Sequence, residues 1–205
     1  AMPTRENIMR EWNRLVEQSR DCTEIWIHYS GHGSRNETEP GGQYTDVLVP
    51  VDAVDASGTD SRQMIHDDEI FLLNTRIRCP AILVFDCCHC GSIGKMPWTF
   101  DYCLPPVNLV HCLHTRFVEI ENPNIHVFSG CRDDETSLDE YNPVLRELMG
   151  AFTGTMITVL DDAEDTIPIL ELYKRICTRI PSQQHPVFSC SHPNPEYLLS
   201  RTHKP

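Results

Sequence analysis

The chain has 205 residues and is 40% hydrophobic, with three Trp and seven Phe, which suits one filled core and excludes a disordered polymer. Acidic residues outnumber basic ones 30 to 17, a formal charge of -13; a surface of that sign repels phosphate backbones, so nucleic acid is not an expected partner and basic peptides are better ones. No apolar run reaches the roughly 18–20 residues that span a bilayer and no signal-peptide pattern opens the chain, so no membrane partner is expected. Ten Cys scattered through an ordinary composition then read as reduced thiols in the cytoplasm.

Ala1-Met2 reads as a cloning remnant. Residues 4–18 open at a Thr4 cap and set Ile8, Trp12, Leu15 and Val16 on one face, predicting an amphipathic helix. After the Arg20-Asp21 break, residues 24–30 (EIWIHYS) form a short apolar, β-branched run that predicts a buried strand ending at Gly31-His32-Gly33. A polar, Gly-rich stretch follows, then a short strand at 47–51 and an exposed excursion at 52–62. Residues 66–77 (HDDEIFLLNTRI) predict a helix whose first-turn acids suit the macrodipole. Pro80 precedes AILVF, a continuous apolar run bounded by breakers, which predicts a buried strand ending at Asp86-Cys87-Cys88-His89-Cys90-Gly91. Residues 92–123 show no sustained period and read as a long loop with room for a short helix. Residues 125–129 predict another strand, ended by Gly130-Cys131-Arg132-Asp133-Asp134. Helices are predicted at 148–161 and 167–179, the second with Pro168 in its first turn, and a last strand at 184–189.

Strands alternating with helices predict an α/β sandwich around a largely parallel sheet. Ligands bind such sheets beyond the carboxyl ends of the strands. Three predicted strands end at His32, at Cys88 and at the 130–134 cluster. A thiol becomes a strong nucleophile when ionised, which a nearby imidazole promotes. His32 and Cys88 are far apart in sequence, so only adjacent strands joined by a crossover would bring them together. The flanking glycines let backbone approach closely, and one of their N–H groups with that of Cys88 could form an oxyanion hole. Taken singly, a Cys after an apolar strand is more often a buried small hydrophobe. A His between glycines is more often a turn residue.

Together the motifs say more. His28-Tyr29-Ser30-Gly31-His32-Gly33 resembles the histidine motif of metacaspases, and Asp86-Cys87-Cys88-His89-Cys90-Gly91 resembles their nucleophile motif, usually D-[CS]-C-H-S-G. Residues 128–137 (FSGCRDDETS) resemble the family's G-C-x-D-x-[QE]-T-S pattern. The order is the family's, and the resemblance covers nearly the whole chain. It implies a caspase-like three-layer α/β/α sandwich as one domain over 3–205, with a large-subunit-like part over about 3–103, a linker over about 104–124 and a small-subunit-like part over about 125–205. It also implies a monomeric cysteine endopeptidase that cleaves protein or peptide substrates after Arg or Lys. Cys88, not Cys87, would be the nucleophile, His32 its proton-transfer partner, and the Gly33 and Cys88 amides the oxyanion donors. Asp86 and Ser30 match residues of the family's basic-side-chain pocket, in keeping with the need of a guanidinium or ammonium for a carboxylate to replace its water.

Many metacaspases need calcium, and the family's site matches Asp46, Asp67 and Asp68, hard oxygen ligands from separated loops. The family's further Asp, seven residues beyond the nucleophile, is Lys95 here. An ammonium there would repel a dication or substitute for its charge, so calcium either binds weakly or is no longer required. Cys90 stands where the family has Ser, creating C-x-x-C with Cys87; with His111, Cys112 and His114 this opens a redox or zinc alternative, although no second pair completes a zinc set. Metacaspases normally place a strand, a helix and a second strand ahead of the helix that opens this chain, and these add an acidic residue to the pocket. The remaining alternative is a weak or inactive caspase-like module serving interaction or regulation. Lys95 and Arg116 mark where self-cleavage of the 92–123 loop would fall.

Overall fold

A computed structural model of the chain describes residues 1–37, 44–55, 58–102, 110–163, 166–181 and 183–200. Helix α1 (Arg5–Gln18) starts where Thr4 Oγ1 accepts a hydrogen bond from Asn7 N at 3.3 Å, and it buries Trp12 and Val16. Strand β1 (Ile25–Ser30) follows. The polar stretch after Gly31 contains β2 (His32–Glu37), and the strand expected at 47–51 begins earlier, as β3 (Tyr44–Val49); the two pair antiparallel, with Arg35 opposite Asp46. Val47 and Leu48 bury β3 against the core, and β2 pairs along it although its own residues are polar. Two short strands, β4 (Val54–Asp55) and β5 (Gly58–Thr59), pair within the exposed excursion. Strand β6 (Ile65–His66) then pairs with β3 and leads into α2 (Asp67–Asn74), capped by Glu69 reaching back to His66 N at 3.1 Å. This helix stops short of the expected 77 because the chain tightens into successive turns, Arg76 N to Leu73 O and Ile77 N to Asn74 O.

Strand β7 (Ala81–Asp86) has all six residues buried. The 92–123 segment is not all loop: it holds β8 (Trp98–Tyr102) and β9 (Val110–His114), an antiparallel pair added to the main sheet. Strand β10 (Ile125–Ser129) precedes a hairpin, β11 (Asp139–Asn142) and β12 (Glu147–Gly150), so the helix expected from 148 begins later, as α3 (Ala151–Asp162). After β13 (Thr166–Pro168) comes α4 (Ile169–Arg179), with Pro168 at its N-cap. Strands β14 (Val187–Cys190) and β15 (Leu198–Ser200) complete the order.

The main sheet runs β1-β7-β10-β14-β8-β9. The pairs β1–β7 and β7–β10 are parallel and the other three antiparallel, so the expected parallel sheet is found in the half that bears the motifs. Alternation along β7 divides the core. Ala81, Leu83 and Phe85 pack with Trp12, Ile70 and Leu73 of α1 and α2, while Ile82 and Val84 pack with Phe152, Leu172 and Tyr173 of α3 and α4. Helices on both faces of a mixed sheet make the three-layer α/β/α arrangement.

Candidate active site

Ser30 and Asp86, the last residues of β1 and β7, are register partners. Gly31 N donates to Asp86 O at 3.3 Å, so the two chains leave the sheet side by side. His32 and Cys88 each stand two residues beyond that pair. Gly33 packs directly on the nucleophile motif: a Cβ there would lie 2.2 Å from Cys88 O and 3.1 Å from Cys87 Sγ. The Tyr29 hydroxyl reaches the carbonyls of His32 at 2.9 Å and Val49 at 3.3 Å, tying the β1–β2 corner to β3. His32 is exposed and Cys88 half-buried, so both are open to a peptide.

The backbone past Cys88 is held from below. His89 adopts a left-handed φ of 55°, its N–H donates to Glu135 O at 3.1 Å, and its Nδ1 lies 2.7 Å from Asp133 O. Ser92 N donates to Asp133 Oδ1 at 2.6 Å. These bonds join the loop to the segment after β10, which is why FSGCRDDETS sits beside the cysteine motif. Beneath lie three buried thiols, Cys87, Cys90 and Cys131. Cys131 Sγ contacts Cys87 O at 3.3 Å and Cys90 Sγ contacts Phe85 O at 3.4 Å. The Cys90 thiol and burial together push Cys87 and Cys131 well above the usual thiol range. All three thiols are enclosed in the core, Cys87 1% and Cys90 and Cys131 0% exposed. The C-x-x-C spacing therefore reports packing under the loop.

The other redox and zinc candidates do not converge. His111 and Cys112 are successive residues of β9 and so point to opposite faces. His114 packs in a tilted arrangement against Trp98 with ring centroids 4.4 Å apart. Cys112 Sγ contacts Pro193 O at 3.8 Å. Among the described residues no three His, Cys, Asp or Glu side chains are grouped to hold a metal ion.

Asp86, the last residue of β7, is 4% exposed. Its Oδ1 accepts from Ser137 Oγ at 2.5 Å, and its Oδ2 accepts from Thr153 N at 3.0 Å and Thr153 Oγ1 at 2.5 Å. It thereby caps α3 from another part of the chain, where the N-cap residue Gly150 has no side chain to do so. A Cβ at Gly150 would stand 2.1 Å from Asp86 Oδ2, so only glycine fits over the carboxylate. His28 Nε2 lies 3.3 Å from Thr153 Oγ1; burial lowers its pKa, with the Asp86 charge opposing. All of Asp86's named hydrogen-bond donors are uncharged. Ser30, its register partner, is exposed. Ser137 and Thr153 were not expected at this site.

The acidic set Asp46, Asp67 and Asp68 is brought to one region, since the β3–β6 register sets Val47 opposite His66, one residue from Asp46 and Asp67 respectively. Lys95 enters it: Nζ is 2.8 Å from Asp67 Oδ1 and also contacts Asp68 Oδ1. Asp46 Oδ1 accepts from Arg35 Nε at 3.1 Å, and its Oδ2 accepts from Ser92 Oγ at 2.6 Å. Arg35 Nη2 also reaches Asp133 Oδ2 at 3.3 Å. Burial raises the pKa of both Asp46 and Asp67, opposed by Ser92 and Arg35 at the first and by Lys95 at the second. A divalent cation needs oxygen ligands where an ammonium and a guanidinium now stand, so these residues do not fit one.

The sheet, the strand-end motifs and the helices on both faces define a caspase-like α/β fold, and the caspase domain family model matches residues 1–198. The chain belongs to that family. Among its curated relatives, metacaspase-2 of Trypanosoma brucei brucei is 32% identical over 145 residues, covering 68% of this chain and 41% of that protein. Metacaspase-1B of Aspergillus terreus is 25% identical over 247 residues, covering 97% of this chain and 63% of that protein. The chain thus spans 41% of the length of the trypanosome relative. Of solved structures, a Geobacter sulfurreducens protein superposes with a TM-score of 0.63 at 19% identity, over 97% of this chain and 78% of that one. Caspase-1 of Spodoptera frugiperda superposes with a TM-score of 0.57 at 13% identity, over 97% of this chain and 73% of that one. Both show likeness of fold. No helix among the described residues is long and apolar enough to cross a membrane.

Proposed function

We propose that the chain is a cysteine endopeptidase cleaving after Arg or Lys, with Cys88 as nucleophile and His32 as its proton-transfer partner. The observation that carries this reading is the side-by-side exit of β1 and β7, which sets both residues two positions past one register pair with the Gly33 backbone against the Cys88 carbonyl. The Cys88 sulfur adds to the scissile carbonyl, and His32, having taken the thiol proton, delivers it to the leaving amine as the acyl–enzyme forms. Water activated by His32 then hydrolyses the thioester and frees Cys88. The Gly33 and Cys88 amides receive the oxyanion in both steps.

The preference for a basic side chain rests on Asp86. Its charge is fixed by Ser137, Thr153 and the α3 N-terminus, none of which is a cation, so a substrate guanidinium or ammonium would supply the missing counter-charge. Exposed Ser30 would offer a further hydroxyl at the same strand end. Initial rates on fluorogenic peptides ending in Arg, Lys or Asp test the assignment. Arg and Lys peptides should be cleaved and Asp peptides spared, with Cys88→Ala and His32→Ala each lowering the rate by about 1,000-fold or more. A Cys88→Ala variant as active as the parent contradicts the nucleophile, and preferred cleavage after Asp contradicts the pocket.

A further inference from the structure

Two carboxylates in the acidic region are buried and two are not. The side chains of Asp46 and Asp67 are 3% and 5% exposed, whereas those of Asp133 and Asp68 are 29% and 75% exposed and keep water. Each buried carboxylate has one cation against it, Arg35 on Asp46 and Lys95 on Asp67. The buried charge is therefore balanced two for two by the chain itself. Arg35, Ser92, Lys95 and Asp133 line an open surface cavity of ≈ 800 Å³.

Lys95 is held there at a cost. Its side chain is only 12% exposed, and its backbone has a left-handed φ of 47°, a conformation that Asn, Asp or Gly adopts more readily. At that turn its ammonium meets both Asp67 and Asp68. The same turn carries the attachment of the loop: Lys95 N donates to Ser92 O at 2.9 Å, and Ser92 is bonded to Asp46 and to Asp133, which Arg35 joins. Arg35 lies on β2, three residues past His32, so the guanidinium links the histidine strand to the cysteine loop.

We propose that Lys95 and Arg35 are built-in cations that balance the buried carboxylates of Asp67 and Asp46 in place of a divalent ion, Lys95 tying the Cys88 loop to α2 and Arg35 tying it to the His32 strand through Asp46, Asp133 and Ser92. They are positioning residues for the proposed peptidase only if that reading holds; ion binding and unfolding do not depend on it.

The test is thermal unfolding of the protein in excess EDTA and in millimolar CaCl2, with calcium titration calorimetry. The wild-type midpoint should agree between the two conditions within about 1 °C, with no saturable heat of binding. Lys95→Asp restores an acidic residue at a backbone position that Asp tolerates. It should melt about 5–10 °C lower than wild type in EDTA, and calcium should recover about 5 °C or more. If Lys95→Asp does not fold, Lys95→Asn serves: it also suits the backbone, and it should melt lower in EDTA and rise with calcium. Arg35→Gln should likewise melt lower in EDTA. Stoichiometric calcium binding by the wild type, or Lys95 variants that melt like wild type in EDTA and ignore calcium, overturns the proposal.

Discussion

Gly33 and Cys88 meet backbone to backbone, closely enough that a methyl group on Gly33 would stand 2.2 Å from the Cys88 carbonyl oxygen. Backbone on both sides leaves no flexible side chain to yield. Gly33→Ala should therefore push the His32 strand away from the Cys88 loop. Displacements near 1 Å at a reacting pair cost about 100-fold in rate, so kcat/KM should fall by roughly that factor, with a melting temperature lower by a few degrees. Unchanged kinetics in Gly33→Ala would mean that the contact does not position the pair.

The Asp86 carboxylate is tested by removing its charge and keeping its shape. In Asp86→Asn the amide oxygen can face Thr153 N and Oγ1 while the NH2 faces Ser137, whose hydroxyl can turn to accept. The fold should survive. Cleavage after Arg should drop by about 100-fold relative to cleavage of a peptide with a neutral residue there, because the counter-charge is gone. Retained Arg preference in a folded Asp86→Asn variant would place the specificity elsewhere.

Much of this site was legible in the sequence, and the illegible parts have physical causes. Strands β1, β7 and β10 are apolar runs ended by Gly, Asp or Cys, so the residues at their ends could be placed at one sheet edge. Asp86's partners Ser137 and Thr153 lie 51 and 67 residues away, and no local pattern signals such a bond. Strand β2 (HGSRNE) was hidden because its pairing comes from backbone bonds to β3. Strand β8 did carry a signal, since Trp98, Phe100 and Tyr102 alternate with Thr99 and Asp101, and Phe100 meets Phe188 at 5.3 Å. The Pro and Gly around it obscured that alternation. Lys95 was recognised as a departure from the family pattern, but its partner in charge balance, Arg35, was not.

Thiol accessibility separates Cys88 from its neighbours. Cys22 and Cys112 are exposed and Cys88 is half-buried, whereas Cys79, Cys87, Cys90, Cys131, Cys177 and Cys190 are buried. Brief alkylation of the native protein with iodoacetamide should modify Cys88, Cys22 and Cys112, with the buried six reacting only after unfolding. Peptide mass spectrometry reads this directly. Cys87 or Cys90 reacting as fast as Cys88 would contradict the buried thiol cluster.

His126 gives the fold a pH dependence unrelated to the site. It is 0% exposed, both ring nitrogens lack a hydrogen-bond partner among the described residues, Phe188 stacks on it at 6.1 Å, and the tilted Tyr197 ring lies 5.1 Å away. Burial lowers its pKa to about 4. Between pH 6.5 and 4 the unfolded chain takes up a proton on this residue that the folded protein refuses, so stability falls as pH falls through that window. The loss is at most about 3 kcal/mol. His126→Phe should remove this component, so that melting temperatures at pH 7 and pH 5 lie closer together than in the parent; an unchanged difference would show that His126 is not its source.

The central claim is that Cys88 is a nucleophile in a site that accepts a basic side chain. It is tested most directly by reacting the native protein with an Arg-ending acyloxymethyl ketone and locating the adduct by peptide mass spectrometry. One stoichiometric adduct on Cys88 is expected, formed far more slowly by the Asp-ending reagent and absent in His32→Ala. No adduct, or an adduct on any other cysteine, would contradict it.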